Sequence, residues 1–351
     1  MKPSPSRMKC QLPSDRPLRF LITRTDRIGD LVLSTPVFAA VRRQWPDAWI
    51  AALTFTENRQ ILEGNPHLDE VILYDKTGAE RSWLGNGIFA RMLAAKKFDA
   101  VIHLHATNRM HLVTWLAGIP VRVGWDRRLP WALTHVLPYV KKEGKKHEAA
   151  YNFDLLQFFD IAMPAKLETF FPVTERWTLS LEELLQQMGV PNDKPWIVLS
   201  PGASDPAKVW AAEGFAGVAE ALARRYDAVF LAIGARQDRS FVQALCRRAQ
   251  VPIFDLSGRL SLGMLGALFQ RSVLLISNDS GPVHVAQAVG APVLSVFVRT
   301  QPGLNPERWK PIGANGAFVV QSSGGNTSDD ASVLNAASDL LASRLKEPVK
   351  R

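Results

Sequence analysis

The chain has little cysteine: two in 351 residues, Cys10 and Cys246. Neither has a neighbour at metal or redox spacing, so a disulfide framework is excluded and reduced thiols of a cytosolic compartment are expected. Long apolar runs are also missing. None approaches the roughly 20 residues of a membrane span. Residues 1–17 form a polar tail with Lys2, Arg7, Lys9 and Arg16, without the apolar core of a secretory signal. The protein is therefore expected in the cytoplasm or on its membrane face. Seven histidines are scattered, and His103 and His105 stand two apart, off the spacing that shares a helix face, so no metal site is expected. The G-x-G-x-x-G fingerprint and the G-x-x-x-x-G-K phosphate loop are both absent, as is any short-period repeat.

What remains is ordinary for a globular protein: 47% apolar and 21% charged residues. The length suggests two domains. The formal charge is +9. Residues 1–175 carry 24 basic and 18 acidic side chains, and the remainder carries 18 and 15. The densest run is Lys141-Lys142-Glu143-Gly144-Lys145-Lys146, readable as a solvated loop or as a contact for an anionic partner such as a phosphorylated lipid surface. The charge is spread and no nucleic-acid module is present, so a nucleic-acid partner is not expected.

Short apolar runs alternate with helical patterns. Leu18–Thr23, Trp49–Thr54, Glu70–Tyr74 and Ala100–Leu104 read as buried strands. A helix ends near Gln44, and Arg91–Lys97, Asn108–Leu116 and Tyr151–Phe159 read as further helices. The alternation predicts an α/β fold with a parallel sheet covered on both faces. Around Phe171–Leu179 the rhythm breaks, which sets a domain boundary at 175. A second series follows. Its strands are Trp196–Ser200, Ala228–Ile233, Val273–Ser277 and Val293–Phe297. Its helices are Gly214–Tyr226, Asp238–Ala249, Leu262–Phe269 and Pro282–Val289. The expected domains are thus 18–175 and 176–321, two doubly wound sheets facing each other across a cleft. Residues 322–330 read as a linker, and Ser332–Leu345 as a terminal amphipathic helix. Ligands of open parallel sheets bind beyond the carboxyl ends of the strands, so loops just after strands carry the chemistry.

Three such loops stand out. Arg24-Thr25-Asp26-Arg27-Ile28-Gly29-Asp30 follows the first strand; Gly29 suits a tight turn. Asp30 is either a carboxylate presented to the cleft or a first-turn helix acid. Ser200-Pro201-Gly202-Ala203-Ser204, with Lys208 and Trp210, offers amides, a hydroxyl and a point charge, which suits a phosphate or a plain turn. Ser277-Asn278-Asp279-Ser280-Gly281-Pro282-Val283-His284 leads into a helix whose amino end is an anion site. Asp279 beside it is better suited to sugar hydroxyls, or is an incidental turn residue. Asp238, after strand Ala228–Ile233, is placed either for ribose hydroxyls or for a helix cap.

Taken in order, these loops resemble the ADP-heptose:lipopolysaccharide heptosyltransferases of glycosyltransferase family nine. The Gly118–Gly124 stretch resembles a further motif of that family. The resemblance covers about residues 18–313. It implies a GT-B fold of two facing Rossmann-like domains, and inverting transfer of a sugar from a nucleotide diphosphate without a required metal or cofactor. It makes Asp30 the general base and Lys208 the neutraliser of the leaving diphosphate. Gly29, Ala203 and Ser204 fall in donor-binding loops. Asp279 matches a heptose-contacting acid, and Ser280 and Gly281, with His284, match the diphosphate-binding turn. Asp238 and Leu260 fall near the ribose and adenine positions. Arg127, Arg128, Lys141, Lys142, Lys145 and Lys146, with Trp125, Asp126 and Trp131, would line a basic acceptor side for phosphorylated lipid A and lipopolysaccharide core. Peripheral membrane contact would follow. Val298-Arg299-Thr300-Gln301-Pro302 departs from the family's Gly-Pro-Thr-like turn, which leaves the donor open. Two other readings stand beside this one: a nucleotide-sugar epimerase of the same shape, and a non-catalytic sugar-nucleotide or lipopolysaccharide binding protein.

Overall fold

Short runs of Val, Ile, Leu and Phe bury both of their faces, and in the computed structural model they form two parallel sheets. The structure describes residues 9–321, 327–342 and 344–345. Parts of the expected tail (1–8) and linker (322–326) lie outside the described residues, as do 343 and 346–351.

The first sheet holds β1 (Arg19–Thr23), β2 (Trp49–Phe55), β3 (Glu70–Tyr74), β4 (Ala100–His103), β5 (Val121–Trp125) and β6 (His135–Leu137). Their order is β3-β2-β1-β4-β5-β6. Thr23 lies opposite Leu53 on one side and His103 on the other. The second sheet holds β7 (Trp196–Ser200), β8 (Val229–Ala232), β9 (Ile253–Asp255), β10 (Leu274–Asn278), β11 (Val293–Phe297) and β12 (Gly316–Val320). Its order, β12-β11-β10-β7-β8-β9, is the same plan read from the other edge. Both are the doubly wound Rossmann order, in which the connection reverses direction between the first and fourth strands. The expected α/β class stands, with the two Rossmann-like units of a GT-B protein. Ser277 lies opposite Ser200 and Ser295, so β7, β10 and β11 end within two residues of one another.

The chain divides between Phe170 and Phe171 rather than at 175. Residues 171–179 looked like a break in rhythm because Pro172 and Thr174 interrupt them. In fact Thr174 precedes a helix, Glu175–Gln187, that packs on helix Leu262–Arg271 of the second unit. There Gly263 leaves room for the Trp177 ring and Gly266 for Phe171; a Cβ at either would sit within 2.5 Å of a ring carbon. The four strands β5, β6, β9 and β12 are absent from the sequence reading. They are short, and Arg122, Gly124 and the half-exposed positions of β9 and β12 interrupt their apolar pattern.

The terminal helix spans Thr327–Ala342, so its first turn occupies the last residues of the expected linker. Val333, Ala337 and Leu341, spaced by four, are fully buried in the core of the second unit. At the other end, residues 9–17 are tied to the first unit. Cys10 N donates to Phe158 O at 2.9 Å, and Arg16 holds Asp99 through both guanidinium nitrogens. Burial pushes the Cys10 thiol up to about 12, so it is inert at neutral pH. No helix among the described residues is long and apolar enough to cross a membrane.

Candidate active site

In the first unit the opening motif lies where β1 and β4 end side by side. Leu104 N donates to Thr23 O at 3.1 Å, and His105 Nδ1 meets Thr25 O at 2.8 Å. The chain then enters helix Ile28–Val32 with Asp30 in its first turn. Gly29 is the second residue of that helix and lacks a left-handed φ, so the tight turn expected of it is a helix start instead.

The Asp30 carboxylate is hydrogen-bonded to Arg24 Nη2. Arg24 is buried and donates further to Glu148 Oε1 from both terminal nitrogens at 3.1 Å, and to Leu104 O and Asn152 Oδ1 at 3.2 Å. Asp26 Oδ2 lies 3.3 Å from the same guanidinium. Lys141 Nζ joins from the far side, at 2.7 Å from Glu148 Oε1 and 3.2 Å from Asn152 Oδ1. Glu148 is 0% exposed, so both of its cationic partners are held out of water with it. Helix Glu148–Asp154 presents Glu148 and Asn152 one turn apart on one face, and the His147 ring caps its start at Ala149 N.

This environment sets the protonation of Asp30. Burial pushes its carboxyl up to about 7; Arg24 and Lys141 oppose the shift, and Asp26 and Glu148 add to it. Burial also works against the Arg24 charge, but Asp30, Glu148 and Asp26 outweigh it and hold the guanidinium firmly protonated. A carboxyl in this range holds or releases a proton near neutral pH, as a general base must.

Of the basic residues expected on the acceptor side, one is turned inward. Lys141 is 3% exposed and belongs to the buried network, because Glu148 draws it inward. Lys145 pairs with Glu143 at 2.9 Å, Lys146 with Asp154 at 2.9 Å, and Lys142 is exposed. Arg127 and Arg128 are exposed after β5, where the Arg127 guanidinium covers the Tyr139 ring. Trp125 is buried, whereas Trp131 is exposed.

In the second unit the other two motifs meet where β7 and β10 end side by side, at the same topological position. Asn278 clamps them: its Nδ2 donates to Pro201 O at 2.7 Å and its Oδ1 accepts from Trp210 N at 2.9 Å. Lys208 Nζ then reaches Asp279 Oδ2 at 2.5 Å, with both side chains largely buried. Asp205 accepts from Ala207 N at 3.0 Å and from Arg299 Nη1 at 2.7 Å. The Ala207 amide first, then Arg299, holds its carboxyl below the usual range. Ser280 Oγ lies 3.1 Å from Ser277 Oγ, ahead of helix Gly281–Ala288, with Pro282 and the buried His284 in its first turn.

Gly202 packs against Asp238 so closely that a Cβ would lie 2.8 Å from that side chain. Asp238 Oδ2 accepts from Ala235 N at 2.9 Å, and Gly258 N donates to Gly234 O at 2.8 Å. The Ala203–Ser204 turn, Asp238 and the half-buried Leu260 therefore gather at the carboxyl ends of β7, β8 and β9. Glu148, Asn152 and Asp205 have no place in the sequence analysis, and Arg299 stands there only within the loop that departs from the family's turn. Glu148 and Asn152 carry only a faint signal, their spacing of four on one helix.

The model of glycosyltransferase family 9 (heptosyltransferase) matches residues 87–332, a span that contains the central and third motifs. Lipopolysaccharide heptosyltransferase 3 of Escherichia coli (strain K12) is 28% identical over 310 residues, covering 85% of this chain and 86% of the relative. Lipopolysaccharide heptosyltransferase 2 of the same strain is 24% identical over 306 residues, covering 82% and 85%. Among solved structures, the family 9 glycosyl transferase of Veillonella parvula DSM 2008 superposes with a TM-score of 0.82 at 26% identity, over 93% of this chain and 98% of that one. The Escherichia coli ADP-heptose lps heptosyltransferase II shares the fold, with a TM-score of 0.73 at 21% identity over 93% and 99%. The chain belongs to glycosyltransferase family 9 (heptosyltransferase) and is a glycosyltransferase.

Proposed function

We propose that this enzyme moves a heptose from ADP-heptose to the core of a lipopolysaccharide acceptor, with inversion and with Asp30 as general base. The observation that carries the reading is the Asp30 carboxyl. It stands at the switch point of the first sheet, is raised to about 7, and is braced by Arg24. Lipopolysaccharide heptosyltransferase relatives support the acceptor class, and a solved neighbour named for ADP-heptose supports the donor. An acceptor of this kind is lipid-anchored, so the enzyme works in the cytoplasm against the inner membrane face.

In the reaction the acceptor hydroxyl gives its proton to an Asp30 oxygen as its own oxygen attacks the anomeric carbon. The bond from that carbon to the diphosphate breaks on the opposite face, which inverts the centre. The diphosphate leaves with the bonding electrons. Lys208 and the amino end of helix Gly281–Ala288 meet the charge that develops there. In this reading Asp238 and Leu260 hold ribose and adenine, and Asp279 accepts from the sugar hydroxyls once Lys208 turns to phosphate. No cofactor or metal takes part in this scheme.

The nucleotide assignment is tested by calorimetry and thermal shift against ADP, UDP, GDP, CDP and their sugar forms. ADP is expected to stabilise the protein selectively, and ADP-heptose more so, following the mass-action gain of a ligand that binds only the folded state. Selective binding of UDP or GDP would replace the donor. In the absence of acceptor the donor should be recovered unaltered; an epimerised sugar would sink the transferase reading.

Lys208→Ala is expected to raise the donor KM and to lower kcat, together costing about a hundredfold in kcat/KM, the scale of one lost electrostatic contact to developing charge. Steady-state kinetics with varied donor checks it. Unaltered kinetics would remove Lys208 from the site.

A further inference from the structure

Helix Trp83–Ala95 is apolar on the wrong side as well as the right one. Its inner face is fully accounted for. Phe89, Ala90 and Leu93 are buried, and buried Asn86 bonds Tyr74 Oη at 2.6 Å and Glu80 O at 2.8 Å. Ser82 caps the start through Gly85 N. The opposite face carries Trp83, Leu84 and Ile88, which are 70%, 76% and 64% exposed. Helix Asn108–Leu116 packs beside it, and the turn Pro130–Ala132 beside that. These add exposed Trp115, Leu116 and Trp131, the two indoles meeting edge to face at 5.6 Å. Single exposed apolar residues are normal, but six large ones on three adjoining segments mark an interaction surface.

The charge around it selects the partner. Between Arg81 and Thr134 the sequence carries eight basic and two acidic side chains. One of the two acids, Asp99, is buried against Arg16. Arg81, Arg91, Arg127 and Arg128 are exposed. Arg91 lies on the same outer face as Leu84 and Ile88. A symmetric contact with a second copy would bring these like charges together. Apolar side chains and indoles with arginines among them are instead what the interface of an anionic bilayer accepts, with rings at headgroup depth and guanidiniums on phosphate.

We propose that the outer face of helix Trp83–Ala95, with Trp115, Leu116 and Trp131, is a surface that inserts shallowly into an anionic lipid bilayer. The purpose, bringing the first unit to a lipid-anchored acceptor, rests on the function proposed above. Vesicle binding needs neither donor nor acceptor, so the two readings fail separately.

The test is flotation of the full chain with phosphatidylcholine vesicles, with and without about one third phosphatidylglycerol. The wild-type protein is expected to float with the anionic vesicles alone. Leu84→Glu/Ile88→Glu is expected to bind at least about tenfold less, since it puts charge where apolar area was buried. The variant should keep its melting temperature and its turnover on a water-soluble, deacylated acceptor. A check without any variant is quenching of wild-type tryptophan emission by vesicles with brominated acyl chains, which is expected on binding. Equal binding by the double variant, no binding by wild type, or no quenching would each overturn the proposal. So would a concentration-dependent dimer abolished by the same variant, which would give this face to a second copy.

Discussion

Replacing Asp30 by asparagine is expected to lower turnover by about a hundred- to ten-thousandfold, the range that a positioned proton acceptor contributes. Donor binding should hold within about twofold, because the lost interaction is made in the transition state. Calorimetry with ADP alongside single-turnover transfer separates the two. Wild-type turnover in the variant would remove Asp30 as the base. The wild-type pH profile follows from the same carboxyl. Its value is raised from 3.8 to about 7, so the competent anion is scarce below pH 7. The rate should climb about tenfold per pH unit up to that point and level off above it. Stability carries the opposite sign. Between about pH 4 and 7 the folded protein keeps a proton that the unfolded chain has released. The stabilisation from this group is full below about pH 4 and is lost as pH rises through 7. Asp30→Asn should flatten that decline in a series of melts at different pH.

Glu148→Gln is expected to be the more damaging change to the fold. It leaves the shape intact and removes the buried anion shared by Arg24 and Lys141. Breaking a buried pair by removing one partner costs about 3–5 kcal/mol, because uncompensated charge stays behind. The loss should appear in the unfolding transition of the first unit, read by urea titration. A second effect separates Glu148 from a mere structural prop. Its charge helps to raise the Asp30 carboxyl, so its removal should move the midpoint of the pH–rate profile downward. A variant with wild-type stability and an unmoved midpoint would show that the network is idle.

The residues of the two clusters divide by whether their place after a strand marks them. Asp30, Lys208 and Asp279 are legible because each stands within a few residues of a strand's carboxyl end, and apolar runs announce those strands. Glu148 is not, since it meets Arg24 across 124 positions and nothing local marks it. Lys141 shows the converse failure. In the sequence it is one of four lysines in a charged run, and only the tertiary approach of Glu148 turns that one inward. Helix Trp83–Ala95 was visible only in its last turns, as Arg91–Lys97. A segment apolar on all sides has no period of 3.6 to detect, for the same reason that its outer face now lacks cover within the first unit. The strands β7 and β11 were read to the residue, since each is fully buried and flanked by turn residues.

The contact between Lys208 and Asp279 has a bearing on which anions the second unit admits. A lone lysine beside a helix amino end attracts any small phosphate in the cell. Here the ammonium already has a counter-ion of its own, at 2.5 Å and largely shielded from water. An arriving phosphate must therefore outcompete an internal carboxylate rather than displace solvent. Inorganic phosphate has little else to offer in that contest. On the function proposed above, a nucleotide sugar brings a ring for the loop at Leu260 and hydroxyls for the one carboxylate it frees, Asp279. The site thus carries a built-in rival ligand, and occupancy goes to the molecule with enough additional points of attachment to dislodge it.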